Sequence, residues 1–129
     1  MTSIALRGVS KTYHGRDGES TIALDKISLE IEDNEFVSIL GPSGCGKSTL
    51  LRIVDGLIGF DDGEVLFNDQ PVTKPTQDRG FVFQAFNLFP WRTVRANIEF
   101  GLEVNSMSRP LRRVISDRLI ALVGLVGFE

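Results

Sequence analysis

The chain has 129 residues, of which 42% are hydrophobic and 24% charged, and its net charge at pH 7 is −3. This length and composition are typical of one folded globular domain and exclude a disordered chain. The excess of acidic over basic residues argues against binding to nucleic acid through bulk charge, and no apolar run is long enough to span a bilayer. Because the N-terminus also lacks the pattern of a signal peptide, we expect a cytoplasmic location.

The first forty residues predict a β-hairpin followed by a third strand. Residues 4–9 form a short apolar run, and residues 23–31 alternate apolar and polar side chains in the manner of a half-buried strand. Residues 13–20, between the two runs, are polar and contain glycine, which is typical of a turn. A second turn at residues 33–34 leads into the β-rich run at residues 35–40, which we expect to be a strand.

A glycine-rich loop follows the third predicted strand. Residues 41–48 read Gly-Pro-Ser-Gly-Cys-Gly-Lys-Ser and fit the Walker A pattern G-x-x-x-x-G-K-[ST], which binds nucleotide phosphates. Residues 47–57 then place apolar side chains on one face of a helix, so strand, loop and helix stand in the order that such a site requires. The alternative is a glycine-rich turn that only joins a strand to a helix.

The side chains of this loop are suited to bind a nucleoside triphosphate and Mg²⁺. Glycines let the backbone direct N–H groups toward a polyphosphate, and the first turn of the helix adds unpaired donors and the positive end of its dipole. Lys47 is expected to act in catalysis by reaching the β- and γ-phosphates, and the Ser48 hydroxyl is expected to ligate Mg²⁺. Cys45, the only cysteine, is expected to be a small filler and not a nucleophile, since no base lies beside it in sequence. The predicted nucleotide-binding residues of the loop are Gly41, Pro42, Ser43, Gly44, Cys45, Gly46, Lys47, Ser48 and Thr49.

The rest of the sequence predicts two more strands and two helices. Residues 64–67 and 80–84 have strand patterns, and a turn at residues 68–71 follows the first of them. Thr93 can cap one helix and Ser108 can cap another. The second helix is predicted to bury one apolar face, with its charged face in solvent. That apolar face consists of Leu111, Val114, Ile115, Leu119, Leu122 and Val123.

The segment around Gln84 resembles the Q-loop of the ATP-binding-cassette (ABC) transporter ATPases. It covers residues 79–98 and reads Arg-Gly-Phe-Val-Phe-Gln-Ala-Phe-Asn-Leu-Phe-Pro-Trp-Arg-Thr-Val-Arg-Ala-Asn-Ile. With residues 24–29 and 41–51, the resemblance extends over nearly the whole chain. It implies an α/β fold of the P-loop NTPase class, and specifically the N-terminal half of an ABC ATPase. That half comprises an antiparallel β subdomain, the Walker A strand, loop and helix, and the start of the helical subdomain.

The resemblance also implies a boundary and two further site residues. It places the β-rich core with the P-loop and Q-loop at residues 1–92, and the start of the helical subdomain at residues 93–129. Gln84 is implied to contact Mg²⁺ or the attacking water, and a neutral amide can do so without adding a charge. Tyr13 is placed like the aromatic residue that stacks on adenine. A solvent-facing Gln84 and a surface tyrosine are the alternatives, and no catalytic role is expected for His14.

The same resemblance implies membrane partners. Residues 86–91 look like the loop that meets the coupling helix of a transmembrane permease, and exposed aromatic residues suit an interface. The alternative is that Phe86, Phe89 and Trp91 pack in the protein's own core. Residues 88–94 resemble the corresponding segment in importers of nitrate, sulfonate or taurine. The implied location is therefore peripheral, on the inner face of the cell membrane, with the full-length subunits paired as a homodimer or pseudo-dimer.

Several ABC motifs do not occur in these 129 residues: the Leu-Ser-Gly-Gly-Gln signature, an Asp-Glu Walker B strand, the D-loop and the switch histidine. The chain is therefore expected to be about half of an ABC ATPase domain, to bind Mg-ATP without hydrolysing it alone, and to be marginally stable by itself or to need partners. A non-transport ABC ATPase and a P-loop kinase or GTPase are alternatives. The absence of an Asn-Lys-x-Asp run argues against a GTPase.

Overall fold

A computed structural model describes residues 3–129, which form four strands and three helices. By chain contacts these residues fall into two compact units, the first ending at Val82 and the second spanning Phe83–Glu129. No helix in residues 3–129 is both long and apolar enough to cross a membrane. The elements are β1 Ile4–His14, β2 Ser20–Ile31, α1 Lys47–Asp55, β3 Asp62–Phe67, β4 Gln70–Pro71, α2 Val94–Val104 and α3 Arg109–Leu122.

The first unit contains a four-stranded antiparallel sheet with the strand order β2-β1-β3-β4. Ile4 pairs with Ile31 on one side and with Phe67 on the other, so β1 is an inner strand. The predicted hairpin is confirmed. Its ladder continues to the pair His14 and Ser20, so the turn is shorter than the polar sequence suggested.

Helix α1 supplies part of the first unit's hydrophobic core. Leu50 and Ile53, three residues apart on one face of the helix, pack with buried side chains of the sheet. The helix ends two residues earlier than predicted because Gly56 adopts a left-handed conformation with φ of 80°. The buried core residues of this unit are Leu6, Val9, Leu24, Leu50, Ile53, Val65 and Val72.

The hairpin contains a β-bulge close to its turn. Lys11 pairs with Leu24 whereas the next residue, Thr12, pairs with Ile22, so Ala23 is an extra residue on β2. A bulge bends its strand and changes the direction of the bulged residue's carbonyl group. Its position matters because the Walker A loop contacts this point of the hairpin.

Two predicted strands, at residues 35–40 and 80–84, do not form among the described residues. A strand is stabilised by a ladder of hydrogen bonds to a neighbour, and no described strand pairs with either segment. Phe36 and Leu40 are 92% and 91% exposed, and Val82 is 95% exposed. The β-rich composition of the two segments is therefore not sufficient by itself to form a strand. The strand predicted at residues 64–67 is confirmed as part of β3.

The second unit contains the two predicted helices. Thr93 is the N-cap of α2 as predicted, and its Oγ1 accepts a hydrogen bond from the Ala96 N–H at 3.2 Å. Ser108 occupies the N-cap position of α3, but its side chain makes no capping hydrogen bond. The helix starts there with Pro110 in the first turn, where the missing N–H costs nothing.

The predicted apolar face of α3 is wrong. Val114 and Leu122 are exposed, whereas Ser116 and Ile120 are buried. Helix α2 packs on the stripe that carries Ser116, and the hydroxyl of that serine is bonded to α2. Apolar periodicity shows which residues share a face, but it cannot show which face meets a neighbour.

Candidate nucleotide-binding site

The loop of residues 41–46 ends at the N-terminus of α1 in two left-handed glycines. Gly44 has φ of 80° and Gly46, the N-cap, has φ of 93°. The first backbone hydrogen bond of the helix runs from the Leu50 N–H to the Gly46 carbonyl at 2.9 Å. The N–H groups of the preceding first-turn residues have no acceptor within the helix, so they can bind an anion.

Gly46 also marks the closest approach between the loop and the sheet. A β-carbon built on Gly46 would lie 2.2 Å from the carbonyl oxygen of Ala23, the bulged residue of β2, and 3.1 Å from a methyl group of Leu24. Only glycine fits this space, and only glycine adopts this φ without strain. The Walker A glycine is therefore required here by the hairpin as well as by the turn.

The ammonium group of Lys47 lies inside the curve of the loop. Its Nζ donates hydrogen bonds to the carbonyl oxygens of Gly41 and Pro42, at 2.7 and 2.6 Å, and lies 3.5 Å from the Cys45 Sγ. A β-carbon on Gly41 would be 2.7 Å from that sulfur, so the loop is closely wound. Cys45 is a free, exposed thiol within this turn.

Tyr13 reaches the helix end of the site from the end of β1. Its hydroxyl lies 3.5 Å from the Thr49 Oγ1, although the two residues are 36 positions apart in sequence. Tyr13 is 43% exposed, and the Lys11 Nζ is 5.8 Å from the centre of its ring. An exposed aromatic face beside the loop is suited to stack on a nucleotide base. The neighbouring His14 instead bonds Ser20 across the hairpin turn at 2.9 Å.

Asp61 contacts the end of β1, and the sequence did not suggest this role for it. It lies between α1 and β3, and its two carboxylate oxygens accept hydrogen bonds from the Lys11 Nζ at 2.7 Å and the Thr12 N–H at 2.6 Å. Both hydrogen bonds lower the pKa of Asp61, and the bond with Lys11 has the larger effect. Burial has a small opposing effect on this pKa. No sequence signal relates residues 61 and 12, because only the pairing of β1 with β3 brings them together.

Gln84, the predicted metal and water contact, lies in the second unit. Gln84 is exposed and lies in a bend, outside the helices and strands. Its role therefore stays a prediction.

The aromatic residues of the segment 86–91 divide between surface and interior. Phe86 and Trp91 are 94% and 78% exposed. Phe89 is half-buried, with its ring centre 4.7 Å from that of Phe100 and 5.4 Å from that of Trp91. The core-packing alternative thus holds for Phe89 and is wrong for Phe86 and Trp91.

Asn97 fixes the backbone of this segment. Its Oδ1 accepts a hydrogen bond from the Phe89 N–H at 2.8 Å, and its Nδ2 lies 3.2, 3.2 and 3.0 Å from the carbonyl oxygens of Phe89, Arg92 and Thr93. Beside the segment, the second unit has an apolar groove of about 620 Å³. The groove is lined by Leu88, Phe89, Pro90, Arg92, Val94, Asn97, Ile98, Leu119, Val123 and Leu125.

The sheet, the glycine loop and the helix that begins at Lys47 define a P-loop nucleotide-binding protein. The profile of the ABC transporter family matches residues 24–128, and the chain belongs to that family. An ABC transporter ATP-binding protein of Methanocaldococcus jannaschii, itself uncharacterized, is 49% identical over 113 residues, 88% of this chain and 42% of the relative. The taurine import ATP-binding protein TauB of Yersinia pestis is 45% identical over 122 residues, 95% of this chain and 46% of TauB.

A solved structure shows the same fold. The ATP-binding cassette MJ0796, determined as a dimer in a post-hydrolysis state bound to ADP and phosphate, superimposes with a TM-score of 0.80 at 36% identity. The match covers 92% of this chain and 56% of that one. The predicted fold class is confirmed. This chain spans less than half the length of the two sequence relatives, at 42% and 46%.

Proposed function

We propose that this chain binds Mg-ATP, with the phosphates at residues 41–49 and the adenine ring on Tyr13. The observation that supports this most directly is the meeting of three groups at one end of α1: the first-turn N–H donors, the Lys47 ammonium and the Tyr13 ring. The loop has the small residues and the donors that a polyphosphate requires. Its residues therefore fit the cofactor that the family binds.

The chemical work of the loop is electrostatic. Lys47 exchanges its bonds to the Gly41 and Pro42 carbonyl oxygens for phosphate oxygens and offsets their negative charge. Ser48 would hold Mg²⁺ through its hydroxyl group, and the role proposed for Gln84 is that of a neutral amide that would contact the metal or the attacking water. When bound, Mg²⁺ neutralises charge that develops on the phosphates. Thr49, held near the Tyr13 hydroxyl, adds a further donor.

ATP binding can be tested with one charge removed. Lys47→Ala is expected to weaken Mg-ATP binding in a titration by at least about tenfold, in line with the loss of a charge-assisted contact. Lys74→Ala removes an exposed lysine of the same unit and is the matched control. Unchanged ATP affinity in Lys47→Ala, or a strong preference for GTP, would contradict the proposal.

For the whole protein we propose the function of an importer's ATPase subunit, and the similarity to TauB supports this because TauB is a taurine import ATP-binding protein. Hydrolysis needs metal-holding and water-positioning groups besides the phosphate loop. Residues 1–129 alone are therefore expected to bind ATP without turnover. Phosphate release from residues 1–129 that continues at saturating Mg-ATP and disappears in Lys47→Ala would contradict this part.

The partners we propose are a second ATPase subunit and a transmembrane permease, with the protein peripheral on the inner membrane face. The dimeric MJ0796 structure supports the first. The exposed Phe86 and Trp91 support the second, because they belong to the segment 86–91 that supplies Leu88, Phe89 and Pro90 to the lining of the apolar groove. The double variant Phe86→Ser with Trp91→Ser is expected to abolish co-purification of the full-length protein with the permease. Phe128→Ser also replaces an exposed aromatic residue with serine, and it is expected to preserve co-purification.

A further inference from the structure

Asp61 connects the start of β3 to the strand that carries Tyr13. Besides its side-chain bonds to the Lys11 Nζ and the Thr12 N–H, its own N–H donates to the Ser10 carbonyl at 2.9 Å. Three successive residues immediately before Tyr13 are thus held by one residue about fifty positions away. None of these contacts involves the Walker A loop.

The end of β1 needs this support because its ladder with β3 has already finished. The last pair between the two strands is Ser10 with Asp62. The register with β2 also shifts between Lys11 and Thr12. Thr12 still pairs with Ile22 of β2, but it has no ladder partner in β3, and its N–H donates to the Asp61 carboxylate instead. Without that acceptor, the last residues of β1 lose the hydrogen bond that fixes their direction.

The second bond of Asp61 fixes the charge beside the ring. Lys11 is 18% exposed at its side chain, and the ion pair with Asp61 holds its ammonium 5.8 Å from the Tyr13 ring centre. The hydroxyl group of the same ring lies 3.5 Å from the Thr49 Oγ1 of α1. The Tyr13 ring therefore has two neighbours, the Lys11 ammonium and the Thr49 hydroxyl, before any base binds.

We propose that Asp61 is a positioning residue that orients Tyr13 for the nucleotide base. This rests on the proposed binding of adenine to Tyr13 and extends it to a group that does not touch the nucleotide. An aromatic ring held in its binding orientation loses less conformational entropy when the base stacks on it. Loss of Asp61 consequently weakens recognition of the base while the phosphate loop keeps its function.

The test compares a ligand that has a base with one that does not, in the full-length polypeptide. Kd is measured for Mg-ATP and for inorganic tripolyphosphate with Mg²⁺. Tyr13→Ala is expected to weaken ATP binding by about tenfold, as for loss of one stacked base, and Asp61→Ala by about three- to tenfold. Neither variant is expected to change the Kd for tripolyphosphate. In Tyr13→Ala with Asp61→Ala, ATP binding should be no weaker than in Tyr13→Ala alone.

Two further variants sharpen the result. Asp61→Asn keeps an acceptor for the Thr12 N–H but loses the ion pair with Lys11, and is expected to be intermediate. Asp62→Asn removes the same charge from the adjacent residue, whose exposed side chain makes no hydrogen bond or ion pair within residues 3–129, and is expected to bind ATP normally.

The other possible outcomes show whether the inference about Asp61, or also the proposed adenine contact, is wrong. Weaker tripolyphosphate binding in Asp61→Ala overturns the inference, because Asp61 would then support the loop generally. Normal ATP binding in Asp61→Ala with weak binding in Tyr13→Ala overturns the inference alone. Normal ATP binding in Tyr13→Ala overturns both the inference and the proposed adenine contact.

Discussion

The carbonyl oxygen of Ala23 and the α-carbon of Gly46 are in such close contact that a β-carbon on the glycine would lie 2.2 Å from the oxygen. The contact exists because a β-bulge in the hairpin places Ala23 outside the regular ladder, where it meets the last residue of the phosphate loop. It joins the strand pair that carries Tyr13 to the helix that carries Lys47. The geometry of the nucleotide site therefore depends on a backbone contact between two separate parts of the chain.

Gly46→Ala is expected to destabilise the protein beyond the cost of its backbone conformation. A left-handed alanine costs about 1–2 kcal/mol, and the overlap with Ala23 adds to it. Gly44→Ala is the matched control, because Gly44 is also left-handed but has no atom within 4 Å of the added carbon. Urea denaturation measures both variants. Equal losses of stability in the two would show that the Ala23 contact has no energetic effect.

Asn97→Ala is expected to destabilise the second unit by about 1–3 kcal/mol, because it leaves the Phe89 N–H and the part-buried carbonyl oxygens of Phe89 and Arg92 without this partner. Asn105→Ala, at the exposed end of the same helix, should cost far less. Amide hydrogen exchange of residues 88–93 provides a local measurement alongside the denaturation midpoint. Unchanged protection of this segment in Asn97→Ala would mean that its backbone is held by other contacts.

Acid is expected to weaken the second unit through Glu103. Its hydrogen bond with Arg92 at 2.8 Å, together with the charges of Arg92 and Arg112, lowers the pKa of Glu103 despite some burial. A carboxyl group with a lower pKa in the folded state stabilises it above the unfolded pKa and loses that contribution as the pH falls through the folded value.

The urea concentration at the midpoint of unfolding should therefore decrease when the pH is lowered below about 5. Part of this decrease should be absent in Glu103→Gln. Asp78→Asn removes an exposed carboxyl group that makes no hydrogen bond or ion pair within residues 3–129, and this variant should retain the full pH dependence. NMR titration of the Glu103 carboxyl group gives the direct check. An unshifted pKa for Glu103 would remove the basis of this prediction.

Local patterns in the sequence were sufficient for much of the fold. The Walker A spacing located the loop, Thr93 located the start of α2, and alternation at residues 23–31 located one strand of the hairpin. Each of these features depends on residues within a few positions of one another. The phosphate-binding roles of the loop remain predictions that rest on this spacing and on the geometry around Lys47.

Other expectations failed where the outcome depended on a distant partner. The segment at residues 35–40 has the composition of a strand, but no described strand pairs with it. In α3, the buried position at the contact with α2 is Ser116, whose Oγ lies 2.7 Å from the Glu99 Oε1 and 2.9 Å from the Arg95 Nη1. A serine within an apolar pattern gives no indication that it will be buried.

The sequence by itself determined that this protein has a P-loop and that it resembles the ABC ATPases, because the turn, the helix start and the motif are encoded by neighbouring residues. Only the tertiary structure decided that Tyr13 lies beside Thr49, that Ala23 contacts Gly46 and that Asp61 holds the strand before Tyr13. In each of these contacts, the two residues are separated by between 23 and 49 positions in the sequence. They form because strand pairing and the β-bulge bring the backbone segments together, and no local pattern specifies that approach.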